Sequence, residues 1–305
     1  MTHAHDEIAL LTDRRYESSV VPEGDWYLSN ILQDDTLLMA ALRDLGIRSR
    51  RVAWSRLDVD WSHFKCAVFR TTWDYFDRFV EFTSWLDRAA SETRLLNDLS
   101  LVRWNMDKHY LADLARAGIP VVPSRFIERG STIATQQLFR ELDCHEAVIK
   151  PCVSGAARHT YRVHIDHAVE IEPLLNELLA NEAFLFQPFQ SDVLVHGEIS
   201  LMVFDGRFTH AIQKLPKHGD FRVQDDHGGT VQRYVPSTAE IEFAERAMTA
   251  CPSLPLYGRV DLIRDHCGQL AIMELELIEP ELWLRFHPPA AAVLARAIAN
   301  HVNFI

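Results

Sequence analysis

The chain is predicted to be α/β, with a small, mostly parallel sheet first and antiparallel strand pairs later. Three observations lead there. Strand and helix patterns alternate up to residue 100, and from residue 105 the spacing changes to a helix, single strands and small-residue loops. Close to the C-terminus, YGRVDLIRD and LAIMELELIEP alternate polar and apolar positions as two strands of a hairpin.

EIALL, from Glu7, reads as a buried strand. DDTLLMAALRDLG is an amphipathic helix with Asp34 or Asp35 as cap and Gly46 as stop. SRRVAW and CAVFR are strands, the second ending at Arg70; FVEFTSWLDRAAS is a helix and TRLLN a short strand. This β-α-β order builds a parallel sheet covered by helices, and ligands of such sheets collect at the carboxyl ends of the strands. RTTWDY, Arg70 to Tyr75, would then lie at a substrate mouth, the alternative being a polar loop anchored by Trp73 and Tyr75.

NMDKHYLADLARAG is a capped helix with Lys108 in its first turn. EAVIKP is a buried strand ending at Lys150, followed by the small-residue loop CVSGAARHT and the strand YRV. A lysine at a strand end beside small residues suits phosphate, because backbone N–H groups can approach the oxygens while the ammonium supplies charge. The loop has Gly155 as its one glycine and does not match the Walker spacing. A helix near residues 167–180 precedes AFLFQPF, where Pro188 should stop the ladder and free the backbone of Gln187 and Phe189 for a flat heterocycle such as adenine. GEISLMVF and RFTHAIQK form a hairpin about Asp205 and Gly206. The polar segment LPKHGDFRVQDDHGGTVQRY, with Lys217, Arg222, Asp225, Asp226, His227, Gly228 and Gly229, suits a loop that orders over a nucleotide or a merely mobile one.

In the last hairpin, a connection made of Asp265, His266, Cys267 and Gly268 sets Arg264 opposite Gln269, Arg259 opposite Glu274 and Asp261 opposite Ile272. Arg259, Asp261, Glu274 and Glu276 then share one face, and Val260, Leu262, Ala271, Met273, Leu275 and Leu277 share the other. Two carboxylates ~4 Å apart repel by about 4 kcal/mol at an effective dielectric of 20, so such a face calls for a cation. Mg²⁺, which keeps phosphate oxygens and waters around one or two carboxylates, fits an ATP site; a solvated sheet face with an Arg–Glu pair is the plain alternative.

Length and charge set the frame. The 305 residues suit two domains or one large one, and 48% hydrophobic content is ample for a core. A net charge of −12 disfavours extended nucleic-acid contact and anionic membranes, leaving small-molecule chemistry. No long apolar run is present and MTHAHDE lacks the features of a signal peptide, so a cytoplasmic protein is expected. The cysteines 66, 144, 152, 251 and 267 are scattered without a C-x-x-C pair, which indicates reduced thiols rather than disulfides or zinc.

FRTTWDY, VRWNMDKHYLADL, VIKPCVSGAARHTYRV, GDFRVQDDHGGTV and MELELIEPELWLR, in this order, resemble the ATP-grasp carboxylate–amine ligases. The likeness runs from about residue 100 to the end and is strongest to the cyclo-ligase group of cycloserine biosynthesis, the O-ureido-serine cyclo-ligases; glutathione synthetase and D-alanine–D-alanine ligase are more distant relatives. It implies the ATP-grasp fold, with 1–100 as a preceding α/β domain, 101–190 as the central subdomain and 191–305 as the C-terminal subdomain carrying metal and catalytic residues. It implies ATP and two Mg²⁺ ions as cofactors. By position, Lys108 and Lys150 are assigned to the phosphates, Ser154, Gly155 and Ala156 to their cover, Gln187 and Phe189 to adenine, and Glu198 to the ribose. Lys214 and Arg222 fall among the phosphate-contacting bases, Asp261, Glu274 and Glu276 among the metal ligands, and Arg259 at the oxyanion. Many relatives carry Asn where this chain has Glu276, whereas the cycloserine-type segment has the same Glu-Leu-Glu.

The implied reaction joins a carboxylate to nitrogen through an acyl phosphate, giving ADP and phosphate. If the cyclo-ligase likeness holds, both groups lie in one small amino-acid-like molecule. Candidate substrate contacts are Arg70, Thr72, Asp74, Glu279, Glu281 and Arg285. An intermolecular amino-acid or peptide ligase and a non-catalytic nucleotide-binding regulator are the rival readings. The relatives also suggest a homodimer, which the residues themselves do not determine.

Overall fold

The structure, a computed structural model, describes residues 7–217, 219–223, 228–265 and 267–304. Among these residues the strands form three sheets. The first has the order β2-β1-β3-β4, all parallel: β1 (Glu7–Thr12), β2 (Arg48–Ala53), β3 (Phe64–Thr71) and β4 (Arg94–Leu96). Its crossovers carry helices α1 (Trp26–Asp44) and α2 (Phe79–Glu92). Both faces of β1 are covered, as an apolar parallel strand requires. Ile8 and Leu10 meet Leu38 and Leu42 of α1, whereas Ala9 and Leu11 meet Trp54, Phe82 and Trp85.

Helix α1 begins earlier than the sequence predicts. Asp25 is its cap, accepting from the Leu28 N–H at 2.9 Å, and the two acids expected to cap it lie buried in mid-helix. Asp34 accepts from the backbone N–H groups of Leu284 (3.1 Å) and Arg285 (2.9 Å), and Asp35 pairs with Arg51 (2.7 Å) and Arg70 (3.0 Å). They look like caps in sequence because Asp is common there, but here they serve tertiary contacts. At the other end Gly46 takes φ +77° and donates to the Arg43 carbonyl at 2.8 Å, the left-handed stop that glycine permits.

Next come α3 (Leu99–Asn105), capped by Asp98, and α4 (Tyr110–Arg116). The helix expected from Asn105 thus starts only at Tyr110, after a separate helix that ends at Asn105, and Lys108 lies in the turn between the two rather than in a helical first turn. The second sheet, order β5-β8-β6-β7, is antiparallel: β5 (Arg125–Ile127), β6 (Glu146–Pro151), β7 (Tyr161–His164) and β8 (Phe184–Pro188). Helices α5 (Thr135–Glu141) and α6 (Ala168–Leu179) close its outer core, and the short α7 (Val193–His196) leads out of it.

The third sheet, order β11-β10-β9-β12-β13, is also antiparallel. It contains β9 (Glu198–Phe204), β10 (Arg207–Leu215), β11 (Thr230–Tyr234), β12 (Tyr257–Arg264) and β13 (Leu270–Glu276), with α8 (Thr238–Thr249) against one face. Thr230–Tyr234, expected within a polar loop, is therefore an edge strand; Asp225, Asp226 and His227 of that loop lie outside the described residues. Asp205 (φ +49°) and Gly206 (φ +73°) make the tight turn of the β9–β10 hairpin.

The C-terminal helix α9 (Pro289–His301) returns to the first sheet, so Leu294 and Ile298 share a core with Ile8 and Leu42. Asn97 fastens the same junction, its amide donating to the carbonyls of Tyr257 (2.9 Å) and Leu277 (2.8 Å) and its oxygen accepting from Leu256 N–H (2.7 Å). No helix among the described residues is long and apolar enough to cross a membrane.

His210 of β10 is buried as a neutral ring. Its Nε2 faces the Leu282 carbonyl at 2.8 Å and it stacks on His287. Burial first, then repulsion from His287, pushes its pKa down to about 4. The unfolded chain protonates this ring near pH 6.5 and the folded one does not, so its contribution is complete above that pH and fades as pH falls toward 4. Between pH 7 and 5 urea midpoints should report a loss of about 1–2 kcal/mol from this group. His210→Gln should be flatter over that interval; an unchanged acid slope would contradict the assignment.

Candidate active site

β12 and β13 bring the acidic face together by a register that differs from the predicted one. Arg264 stands opposite Leu270, and the Asp265 N–H donates to the Gln269 carbonyl at 2.8 Å, so the connection includes Gln269; His266 lies outside the described residues. A bulge between Asp261/Glu274 and Leu262/Ile272 then places Met273 as an extra residue. Arg259 faces Glu276 and Asp261 faces Glu274, correcting the expected partners Glu274 and Ile272. A bulge sets two residues against one and reverses the side-chain alternation beyond it. Ile272 thus joins Leu262 and Leu275 in the core, while Ala271 and Met273 join Val122, Phe189 and Val223 on the cleft side. Ile272 also docks the segment after α4, exchanging backbone hydrogen bonds with Pro120 (2.9 Å) and Val122 (3.0 Å).

Charges on this face are mutually paired. Arg259 grips Asp261 through Nε (2.8 Å) and Nη2 (2.8 Å), and Nη2 also reaches Glu276. The Trp283 ring lies 5.0 Å from the Arg259 guanidinium and 5.7 Å from the Lys214 ammonium. Asp261 further accepts from Ser200 Oγ (2.5 Å) and Lys214 (3.2 Å), and Lys214 also pairs with Glu198. Lys108 donates to Glu274 (2.8 Å) and to the Ser154 carbonyl (2.8 Å). Lys150 has no hydrogen-bond or ion-pair partner among the described residues. Burial lowers the Lys150 pKa against the pull of Glu274.

The acids respond unequally. Burial pushes Glu274 upward, but Lys108 and Lys150 outweigh it and hold the carboxyl below its usual range. For Glu276, burial together with Asp261 and Glu274 outweighs Arg259 and raises the pKa. Glu279 is raised as well, by burial and then by Glu276. As a donor set, the carboxylates of Asp261, Glu274 and Glu276 on adjoining strands fit a hard, oxygen-seeking cation. Each currently leans on a protein cation. Among the described residues, the group that brings three metal-type ligand atoms within 4.8 Å of one another is Asp107, His109 and Cys152, none of them an acid of this face. There His109 bonds Asp107 (2.5 Å) and the Cys152 thiol is buried, in keeping with a structural thiol.

One chamber opens between the second and third sheets. Val122, Val148, Phe189, Phe221, Val223 and Met273 give it apolar walls, and Lys108, Lys150, Ser154, Gly155, Ala156 and Arg222 stand around it. Gly155 is required by space, since a Cβ there would sit 2.6 Å from the Phe76 ring. Ala156 (φ +48°) and Ala157 (φ +55°) carry the loop through left-handed backbone. Arg222 forks onto Asp220 (3.1 and 2.7 Å). β8 does end at Pro188, as expected, but the expectation that this frees the backbone of Gln187 and Phe189 is corrected. Phe189 N–H still donates to the Glu146 carbonyl at 2.8 Å, and Gln187 stands opposite Val148 while its side chain donates to Ser124 Oγ at 2.9 Å. Pro188 lies opposite Ala147, between two hydrogen-bonding pairs, where its missing N–H costs this ladder nothing.

A second chamber lies between the first sheet and the acidic face. Gly155, Ala156, Glu198, Glu274, Glu276 and Glu279 border both chambers. Of the six expected substrate contacts, Glu279 and Glu281 line it. The other four turn elsewhere. Arg70, in a strand covered on both faces, binds Asp35 and the Pro280 carbonyl (3.5 Å), and Thr72 is fully buried. Asp74 accepts from Trp54 Nε1 (2.6 Å) and Arg78 (2.8 Å). Arg285 does bind carboxylates, but they are the chain's own Asp34 (3.2 Å) and Glu281 (2.6 Å). Arg15, Tyr16, Tyr27, Arg158 and Trp283 line the chamber without having been singled out; the first three come from segments that carry no motif and are brought there by the sheet order, and Arg158 and Trp283 belong to motif segments in which attention fell on their neighbours.

Residues 8–97 match the family described as "D-cycloserine synthetase DcsG, N-terminal domain". The chain is 34% identical over 286 residues to the cycloserine biosynthesis protein DcsG of Streptomyces lavendulae, covering 87% of this chain and 93% of that one. The crystal structure of D-cycloserine synthetase DcsG superposes with a TM-score of 0.85 at 32% identity, covering 97% of this chain and 99% of the other. ATP-grasp ligase PsnB, complexed with precursor peptide PsnA2 and AMPPNP, matches at TM-score 0.62 and 13% identity over 99% of both chains, a likeness of fold alone.

Proposed function

Because the chain belongs to the D-cycloserine synthetase DcsG family of ATP-grasp ligases, ATP-dependent enzymes that form C–N bonds in antibiotic biosynthesis, we propose that it closes a ring within one small amino-acid-like substrate through an acyl phosphate. One observation carries this reading: the acidic face is the common wall of an apolar-sided chamber suited to a nucleotide and a polar chamber suited to a small substrate. A γ-phosphate and a substrate carboxylate brought in from the two sides would meet there.

In this reading the units 1–100, 101–190 and 191–305 contribute the substrate wall, the nucleotide cover and the acidic face. Lys150, unpaired, and Lys108 receive phosphate oxygens, with Ser154, Gly155 and Ala156 as cover and Arg222 at the rim. Asp261, Glu276 and, with Lys108 turned to phosphate, Glu274 would be the oxygen ligands that hold two Mg²⁺ ions. Bound there, Mg²⁺ would offset phosphate charge and polarise the transferring phosphoryl group. Glu198 is assigned to the ribose and Lys214 to holding Glu198 and Asp261 in place. The apolar walls, with Gln187 and Phe189 at one end, take adenine. The substrate carboxylate attacks the γ-phosphate, giving ADP and an acyl phosphate; a nitrogen of the same molecule attacks the carbonyl, and Arg259 faces the oxyanion before phosphate leaves.

O-ureido-D-serine, given as the sole organic substrate with Mg·ATP, should release ADP. Strict dependence on a second acceptor would replace ring closure by an intermolecular ligation.

A further inference from the structure

The second chamber contains one acid that forms no ion pair with a protein cation among the described residues. Arg15 is bound to Asp13 (2.7 Å), Arg158 to Glu182 (2.7 and 2.9 Å), Lys214 to Glu198 and Asp261, and Arg259 to Asp261 and Glu276. Of the chamber's acids, Glu281 holds Arg285 and Glu274 holds Lys108. The Glu279 side chain has neither an ion pair nor a hydrogen bond to another residue among the described residues, although it borders both chambers.

Three electron-rich rings line the same chamber, and the Arg15 guanidinium already lies 5.2 Å from the centroid of one of them, Tyr16. Tyr16, Tyr27 and Trp73 contact one another with centroids 5.5–6.2 Å apart. They come from the loop after β1, the start of α1 and the loop after β3, which the parallel order of the first sheet gathers at one end. Trp73 Nε1 donates to the Glu279 carbonyl at 2.9 Å, which fastens this cluster to the residue bearing the lone acid. A carboxylate beside aromatic faces in a confined space attracts an organic cation. Mg²⁺ is poorly served by the same wall, since rings offer no oxygen ligands.

We propose that Glu279 and the Tyr16–Tyr27–Trp73 rings form the subsite for the ammonium group of the substrate, an assignment that rests on the ring-closing reading above. The carboxylate supplies the charge-assisted hydrogen bond, and the rings add cation–π attraction. Glu279 thereby orients the amino acid so that its carboxylate reaches the shared wall.

The probes are D-cycloserine and 3-isoxazolidinone, the same ring without its amino group, titrated calorimetrically into the whole protein with Mg·ADP and phosphate at a pH where the amine is protonated. The wild type should prefer the amino ring by about ten-fold or more. Glu279→Gln should erase the preference while leaving Mg·ADP affinity unchanged, and Tyr27→Leu should narrow it. A preference that survives in Glu279→Gln, or a defect of that variant in Mg·ADP affinity, overturns the subsite. Equal binding of both rings by the wild type sinks the subsite alone. Failure to bind either ring while Mg·ADP still binds removes the ring-closing reading and the subsite with it.

Discussion

Replacing Arg259 by Lys is expected to leave a folded protein whose turnover is at least about 100-fold slower, the usual scale for losing one oxyanion donor. The positive charge is retained, so Asp261 is not left uncompensated, and Lys214 stays within 3.2 Å of it. What is lost is the fork: Nε and Nη2 both bind Asp261, Nη2 binds Glu276, and the plane lies against Trp283. An ammonium is a point charge and cannot hold that geometry. Since the oxyanion forms after phosphoryl transfer, rapid-quench experiments should still show a burst of ADP followed by slow cycles. Disappearance of the burst would move Arg259 to the phosphoryl step.

Glu274→Gln should abolish measurable turnover, a loss of about 1,000-fold or more, equivalent to ~4 kcal/mol. The amide oxygen can still accept from Lys108, and Ile272 and Leu275 on the packing face are untouched. The cost in stability should therefore stay near the ~1–3 kcal/mol of a weakened charged hydrogen bond. Calorimetric titration should show weaker Mg²⁺ binding in the presence of ADP. A variant with a collapsed thermal transition and normal residual activity would contradict both the metal assignment and the separation of the two strand faces.

Legibility varied with the range of the contacts involved. The short apolar runs of EIALL and CAVFR, the turn at Asp205 and Gly206, and the stop at Gly46 are local, and they stand where the sequence puts them. The start of α1 was misplaced because Asp34 and Asp35 resemble caps, and their partners Leu284, Arg285, Arg51 and Arg70 are remote in sequence. Arg70 and Arg285 looked available to a substrate for the same reason. A sequence shows a charged residue but not the buried carboxylate that already neutralises it.

Side-chain order along β12 and β13 was enough to put Arg259, Asp261, Glu274 and Glu276 on one face, because alternation is a property of the strand itself. Which of them stand opposite each other depended on a two-residue shift, one residue from the connection that takes in Gln269 and one from the bulge at Met273, and a shift of two keeps every face and so cannot be read from alternation alone. Likewise, Lys108 and Lys150 stand out beside their small-residue loop, whereas the gathering of Tyr16, Tyr27 and Trp73 near Glu279 required the order β2-β1-β3-β4 and the hydrogen bond from Trp73. Periodicity and motif are written along the chain. The pairing of buried charges and the walls of a chamber are set by packing between distant segments, which no local pattern encodes.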